Sequence, residues 1–267
     1  MLKRLHRACL GLCLALAATL DPAPTRAETE VDLALVIAVD ISYSMDVEEQ
    51  ALQREGFAQA FRSTLVQDAI RRGMLGRIGV TYMEWAGSSD QKVILPWTIL
   101  DNPESILAFA DRIEATPLRR AQRTSISGAI DFGLKLHDES GLTAARRVID
   151  ISGDGPNNQG RLVTLARDHT VAQGITINGL PIMLKRPGYL DIPELDVYYR
   201  DCVIGGQGAF LVPVRDREQF VQAIKTKIML EVAGGTPPEA LVKPAQAEGP
   251  RANCLVGETQ WRDRMGN

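Results

Sequence analysis

Leu33-Ala34-Leu35-Val36-Ile37-Ala38-Val39, followed at once by Asp40-Ile41-Ser42-Tyr43-Ser44, is the stretch on which the fold turns. Seven apolar residues in a row read as a strand buried on both faces, the pattern of a parallel sheet covered by helices. One carboxylate and two hydroxyls then arrive where that strand ends. A helical spacing of apolar residues starts soon after, at Val47. In open α/β sheets ligands bind at the carboxyl ends of the strands. Hard oxygen ligands gathered there suit a small hard cation such as Mg²⁺. The stretch supplies half of such a site, and the rest must come from later in the chain.

Reading outward, strand-like and helix-like segments alternate. Strands are predicted at 33–39, 77–85, 93–100, 147–152, 175–182 and 209–214, and helices at 47–70, 102–115, 125–137, 162–173 and 217–232. The short link 86–90 predicts a hairpin between the second and third strands. Strands separated by helices imply a doubly wound, mostly parallel six-stranded α/β sheet, Rossmann-like, with helices on both faces and one antiparallel edge strand. Residues 185–196, with two prolines and a glycine, read as an insertion with a short helix near the sheet edge. Residues 236–250 are rich in Pro, Ala and Glu and read as a mobile tail, with Cys254 and Trp261 suggesting that its end folds back.

The ends of the chain bear on location. Lys3, Arg4 and Arg7 precede a short apolar run from Ala8 to Leu20, and Thr25-Arg26-Ala27 ends in a small residue. This is the pattern of a secretory signal, and the run is too short to span a bilayer comfortably. The division predicted is therefore a signal peptide at 1–27, a domain at 28–233 and a tail at 234–267, in a protein of the periplasm or the extracellular space. Cleavage would remove four basic residues and one acidic one, leaving 26 basic against 32 acidic residues, a net charge of −6. That acidic balance speaks against a nucleic-acid binder. It also leaves two cysteines, Cys202 and Cys254. An even pair in an exported chain suggests a disulfide, worth roughly 4 kcal/mol in the chain-entropy model; two free thiols or pairing between chains are the alternatives.

Two later segments complete the cation site. Thr124 stands at the start of a helix, after the basic run Arg119, Arg120 and Arg123, and Asp154-Gly155 follows the fourth strand. Strands one and four flank the switch point of a doubly wound sheet, so Asp40, Ser42, Ser44, Thr124 and Asp154 are expected in one crevice. Each alone would be an ordinary capping or turn residue. Together, the pattern Asp-x-Ser-x-Ser, a distant Thr, then Asp-Gly resembles the von Willebrand factor type A (vWA) domain and its metal-ion-dependent adhesion site, over about residues 31–232. The segment Tyr198-Tyr199-Arg200-Asp201-Cys202-Val203-Ile204-Gly205-Gly206 is also similar to one in exported bacterial proteins of this type.

By that resemblance Ser42, Ser44 and Thr124 would bind Mg²⁺ (or Mn²⁺ or Ca²⁺) directly. Asp40 and Asp154 would act through water or by accepting hydrogen bonds, and a partner protein's Asp or Glu carboxylate would take a remaining position. Tyr43 departs from the glycine common between the two serines, and it is expected at the site rim together with Glu84. Three functions compete: a metal-dependent adhesion module, a metal-dependent hydrolase such as a phosphoesterase, and a scaffold that needs no metal. The chain lacks the second aspartate of aspartate-nucleophile phosphatases, a phosphate loop, a Gly-x-Ser-x-Gly elbow and a histidine placed as a general base. The sequence therefore favours a non-enzymatic binding module. Asp150 interrupts an apolar strand with no partner evident; His137 and His169 read as surface residues.

Overall fold

A computed structural model describes residues 28–185, 192–234, 243–244 and 251–266. The signal expected at 1–27 and most of the tail expected at 236–250 lie outside the described residues. The central strand β1 (Thr29–Asp40) pairs in parallel with β2 (Ile78–Trp85) on one side and β4 (Leu142–Gly153) on the other. β3 (Gln91–Leu100) closes one edge antiparallel to β2, as the short link predicted. β5 (Thr176–Pro181) and the two-residue β6 (Phe210–Leu211) extend the other side in parallel. All six expected strands are present. A seventh, β7 (Lys243–Pro244), pairs antiparallel with β6, giving the order β3-β2-β1-β4-β5-β6-β7.

The period-2 geometry of β1 divides the core into two. Leu33, Leu35, Ile37 and Val39 face α1 (Val47–Arg62), α2 (Thr64–Arg71), α3 (Pro103–Ala115) and α7 (Phe220–Ala233). Val36 and Ala38 face α4 (Ile126–Asp138), α5 (Val163–Ala172) and the short α6 (Leu195–Tyr198), which runs into a π-turn at Tyr199–Val203. On the first face Phe57 meets Tyr82 and Phe61 meets Phe109 edge to face, with centroids 5.9 and 5.2 Å apart. Truncating either phenylalanine to Ala would cost about 3–5 kcal/mol.

Several details differ from the sequence reading. The single helix expected over 47–70 is two helices, because Ser63 takes extended backbone (ψ 131°) between them. Of the insertion expected at 185–196, residues 186–191 lie outside the described residues; its end enters the short helix α6, and Tyr198, Tyr199, Cys202 and Val203 beyond it are buried in the second core. His137 is buried rather than on the surface; its Nε2 lies 3.1 Å from the Val148 carbonyl and Trp97 packs on its ring. Burial pushes its pKa down to about 4. The end of the chain forms α8 (Val256–Met265).

Asp150 acquires the partner that the sequence did not reveal. Lys227, from α7, lies 2.8 Å from Asp150 and 2.6 Å from Glu231. Asn178 on β5 donates to both Glu231 oxygens at 2.8 Å and accepts from the Phe210 amide. A buried charge must be paired and hydrogen-bonded to be tolerated. Here one ammonium serves two carboxylates, and the group ties β4, β5, β6 and α7 together.

Candidate metal centre

The carboxyl ends of β1 and β4 lie side by side at the point where the strand order reverses, with Val39 opposite Ser152. Asp40 is the last residue of β1 and is fully buried. Its Oδ1 accepts from the Ser42 amide at 2.7 Å, which folds the chain sharply out of the strand. Met45 N–H closes a turn onto the Ser42 carbonyl, and Asp46 then caps α1 through a reciprocal bond pair with Glu49. Helix and strand geometry thus hold the loop 41–45 from both ends.

Within that loop the hydroxyls of Ser42 and Ser44 are 2.8 Å apart, and Ser44 Oγ donates to Asp154 Oδ1 at 2.5 Å. Asp40, Ser42, Ser44 and Asp154 therefore form one connected chain. Thr124 lines the same cavity, although its hydroxyl enters none of these bonds. It is fixed through its backbone instead: its N–H donates to Asn158 Oδ1 at 3.0 Å and its carbonyl accepts from Asn158 N–H at 2.8 Å. Asn157 adds a second brace, accepting from the Ser127 amide at 3.0 Å. Sequence reasoning passed over this Asn pair; its only signal is two amides directly after Asp154-Gly155-Pro156.

The donor set fits a small hard cation. Two ligands at right angles around Mg²⁺ sit about 2.9 Å apart, near the observed separation of the two serine hydroxyls. Asp40 Oδ2 is buried with no hydrogen-bond partner among the described residues, an acceptor left for a water or a ligating hydroxyl. Burial first, and then the charge of Asp154, hold the Asp40 carboxyl well above its ordinary pKa, while the Ser42 donors and the Asp154 amide pull it down. A divalent ion would reverse that repulsion. Gly153 makes the close approach possible, because a Cβ there would lie 2.8 Å from Asp40 Oδ2 and 2.9 Å from the Tyr199 hydroxyl. No cluster of three His, Cys, Asp or Glu side chains able to hold a metal occurs among the described residues, so this hydroxyl–carboxylate group is the candidate.

The rim is only partly as expected. Tyr43 stands at the mouth, 55% exposed, with no left-handed backbone. Glu84 does not reach the rim. It is fully buried, bound by Arg54 at 2.6 Å and Arg119 at 3.2 Å, because β2 register sets it beside Val39 and beneath α1. The basic run divides: Arg119 turns inward to Glu84 and Asp90, Arg120 packs 5.0 Å over the Tyr43 ring, and Arg123 packs 3.5 Å over the Trp261 ring. Lys185 was not anticipated. Its ammonium bonds the Glu49 carboxylate and the Ser44 carbonyl and lies 3.9 Å from both Asp154 and Asp46.

The cavity holds about 900 Å³ and is closed on one side by α8. Cys202 and Cys254 are joined, Cα atoms 5.5 Å apart, so the pairing is within the chain. Glu258 of α8 accepts from Asn157 Nδ2 at 2.8 Å, and a Cβ at Gly257 would collide with the Asn157 carbonyl.

Solved structures that share this fold include those of three proteins. Proximal thread matrix protein 1 from the mussel byssus is 12% identical with a TM-score of 0.57, over 77% of this chain and 49% of its own. The pilus adhesin SpaC of Lactobacillus rhamnosus GG is 11% identical with a TM-score of 0.58, over 76% and 31%. The von Willebrand factor type A protein of Catenulispora acidiphila is 12% identical with a TM-score of 0.51, over 76% and 43%. Another structure of the mussel protein has a zinc-occupied adhesion-site motif (12% identical, TM-score 0.55, over 77% and 49%). This chain spans half or less of the length of each. At such identities the likeness shows a vWA-type fold and no more. No curated protein matches the sequence. A family model described as "Protein of unknown function (DUF1194)" matches residues 30–236.

Proposed function

The chain belongs to the DUF1194 family, and from that premise we propose that it is an exported binding module which holds a divalent cation and recognises an acidic residue of a protein partner. The observation that carries the reading is the connected set Asp40–Ser42–Ser44–Asp154, with Thr124 on the same cavity, at the switch point of a vWA-type sheet. Ser42, Ser44 and Thr124 would ligate Mg²⁺ or a similar ion. Asp40 and Asp154 would orient those hydroxyls and neutralise the ion. A bound cation would supply an open coordination position for a carboxylate. The other residues position it: Asn158 fixes Thr124, Ser42 N–H fixes Asp40, and Tyr43 shapes the approach.

A non-enzymatic role is part of this proposal. Neither His137, packed against Trp97, nor His169, exposed on α5, lines the cavity. Export is supported by the basic and apolar pattern of 1–27 and by the Cys202–Cys254 bridge, which persists in oxidising compartments. No helix among the described residues is long and apolar enough to cross a membrane. Domain limits of 28–233 with a tail at 234–267 remain our proposal; α8 in that tail borders the cavity.

Titration of the purified chain with Mg²⁺ or Mn²⁺, beside Asp40→Ala, tests the site. Unchanged affinity in the variant would sink it. Capture of a partner from an envelope extract, with and without chelator, tests the adhesion role; capture indifferent to chelator would favour a metal-independent scaffold.

A further inference from the structure

We propose that the cavity beside the cation site receives an acidic segment of the partner protein, with Arg123 and Arg264 on the Trp261 wall binding a second carboxylate while the first meets the cation. This deepens the metal-dependent reading and rests on it. Among the described lining residues, the positive charge not already paired with a carboxylate lies on that wall. Lys185 and Arg215 also line it, but they are engaged by Glu49 and by Asp196, the latter at 2.7 Å. Arg123 and Arg264 have no carboxylate within ion-pair distance among the described residues. Their guanidinium carbons lie 3.5 and 5.2 Å from the Trp261 ring centroid. A guanidinium stacked on an indole keeps its in-plane donors free for a carboxylate.

The wall is built, not incidental. Arg123 is the one non-glycine with positive φ (75°) among the described residues, and it directly precedes Thr124. Holding a bulky residue there costs about 1–3 kcal/mol, which the surrounding contacts must over-determine. On the facing side Trp261 is held by the bridge from Cys254 to Cys202, by Glu258 on Asn157 and by the close seat of Gly257. The same cavity also has an aliphatic lining, with Pro156, Ile182, Leu184 and Leu195. A ligand that matches carries two carboxylates joined by a stretch with apolar surface, which is an acidic peptide segment. Such a segment would be drawn to a locally basic pocket on a chain that is otherwise net negative.

The test uses the full mature chain in Mg²⁺ against an array of short peptides, each with two Asp or Glu residues at varied separation, beside their Asn and Gln counterparts. Acidic peptides are expected to be retained and their amide counterparts lost. In calorimetry Arg264→Gln and Trp261→Ala are each expected to weaken a retained peptide about tenfold while Mg²⁺ affinity is unchanged, which also reports an intact fold. Equal binding of the peptide by both variants, equal retention of the amide peptides, or no retained peptide by a chain that binds Mg²⁺ would overturn the proposal. So would succinate binding as tightly as any peptide. A chain that binds no Mg²⁺ would instead defeat the metal reading; retention lost in Arg264→Gln would then still uphold the pocket.

Discussion

Ser44 Oγ donates to Asp154 Oδ1 at 2.5 Å, joining the loop after β1 to the loop after β4 across 110 residues of sequence. Behind that bond two carboxylates, Asp40 and Asp154, face one small volume. On the proposed reading such a site trades stability for cation binding, and the trade can be measured.

Asp40→Asn keeps an oxygen for the Ser42 amide and removes a charge that burial and Asp154 both disfavour. Because the folded-state pKa of Asp40 is raised, its ionised form subtracts stability at neutral pH. In chelator the variant is expected to melt higher than the unaltered protein, by of order 1 kcal/mol. In excess Mg²⁺ the order should invert, since only the unaltered protein gains from binding. Thermal melting with and without Mg²⁺ reads both effects.

Lys185 brings a tethered positive charge to Asp154, Asp46 and Glu49. A cation in the neighbouring site must share those carboxylates with it. Lys185→Met is expected to tighten Mg²⁺ binding about threefold, a small factor because the ammonium is partly exposed and screened. Calorimetric titration that showed weaker binding would mean that Lys185 instead orders the loop 41–45.

Among the described residues Lys227 is the one cation paired with buried Asp150 and Glu231. Removing one partner of a buried pair leaves uncompensated charge, so Lys227→Met should cost about 3–5 kcal/mol in urea unfolding. Burial, with Glu231 adding to it, raises the Asp150 carboxyl to about 6 despite Lys227. The protonated form is therefore favoured by folding, and this contribution is lost as pH rises from the ordinary carboxylate value towards about 6. The stability advantage of the unaltered protein over Asp150→Asn should accordingly shrink over that range.

His137 behaves in the opposite sense. Its pKa is lowered from 6.5 to about 4 by burial, so the neutral ring is favoured by folding. The stability it contributes is complete above pH 6.5 and falls as pH drops towards 4. Its imidazole proton resonance should stay at the neutral position until pH approaches 4; a midpoint near 6.5 would place the ring in solvent.

The run 33–39 and the order Asp-x-Ser-x-Ser, Thr, Asp-Gly determined the parallel sheet and the five residues at its switch point. Both signals are local: burial on both strand faces dictates an unbroken apolar run, and ligands at strand ends follow it directly in sequence. What lay beyond reach depends on contacts between distant segments. Glu84 and Tyr43 both looked like rim residues, yet β2 register and the Arg54 guanidinium bury one while Arg120 props the other at the mouth. Lys185, Asn158 and Trp261 come from segments with no periodicity to read. Lys185 and Asn158 reach the cavity from the segments after β5 and β4, and Trp261 reaches it through the return of the chain end, where the Cys202–Cys254 link anchors α8. The sheet and the candidate cation ligands are thus written in short local stretches, whereas the shape and charge of the cavity beside them are decided by tertiary packing.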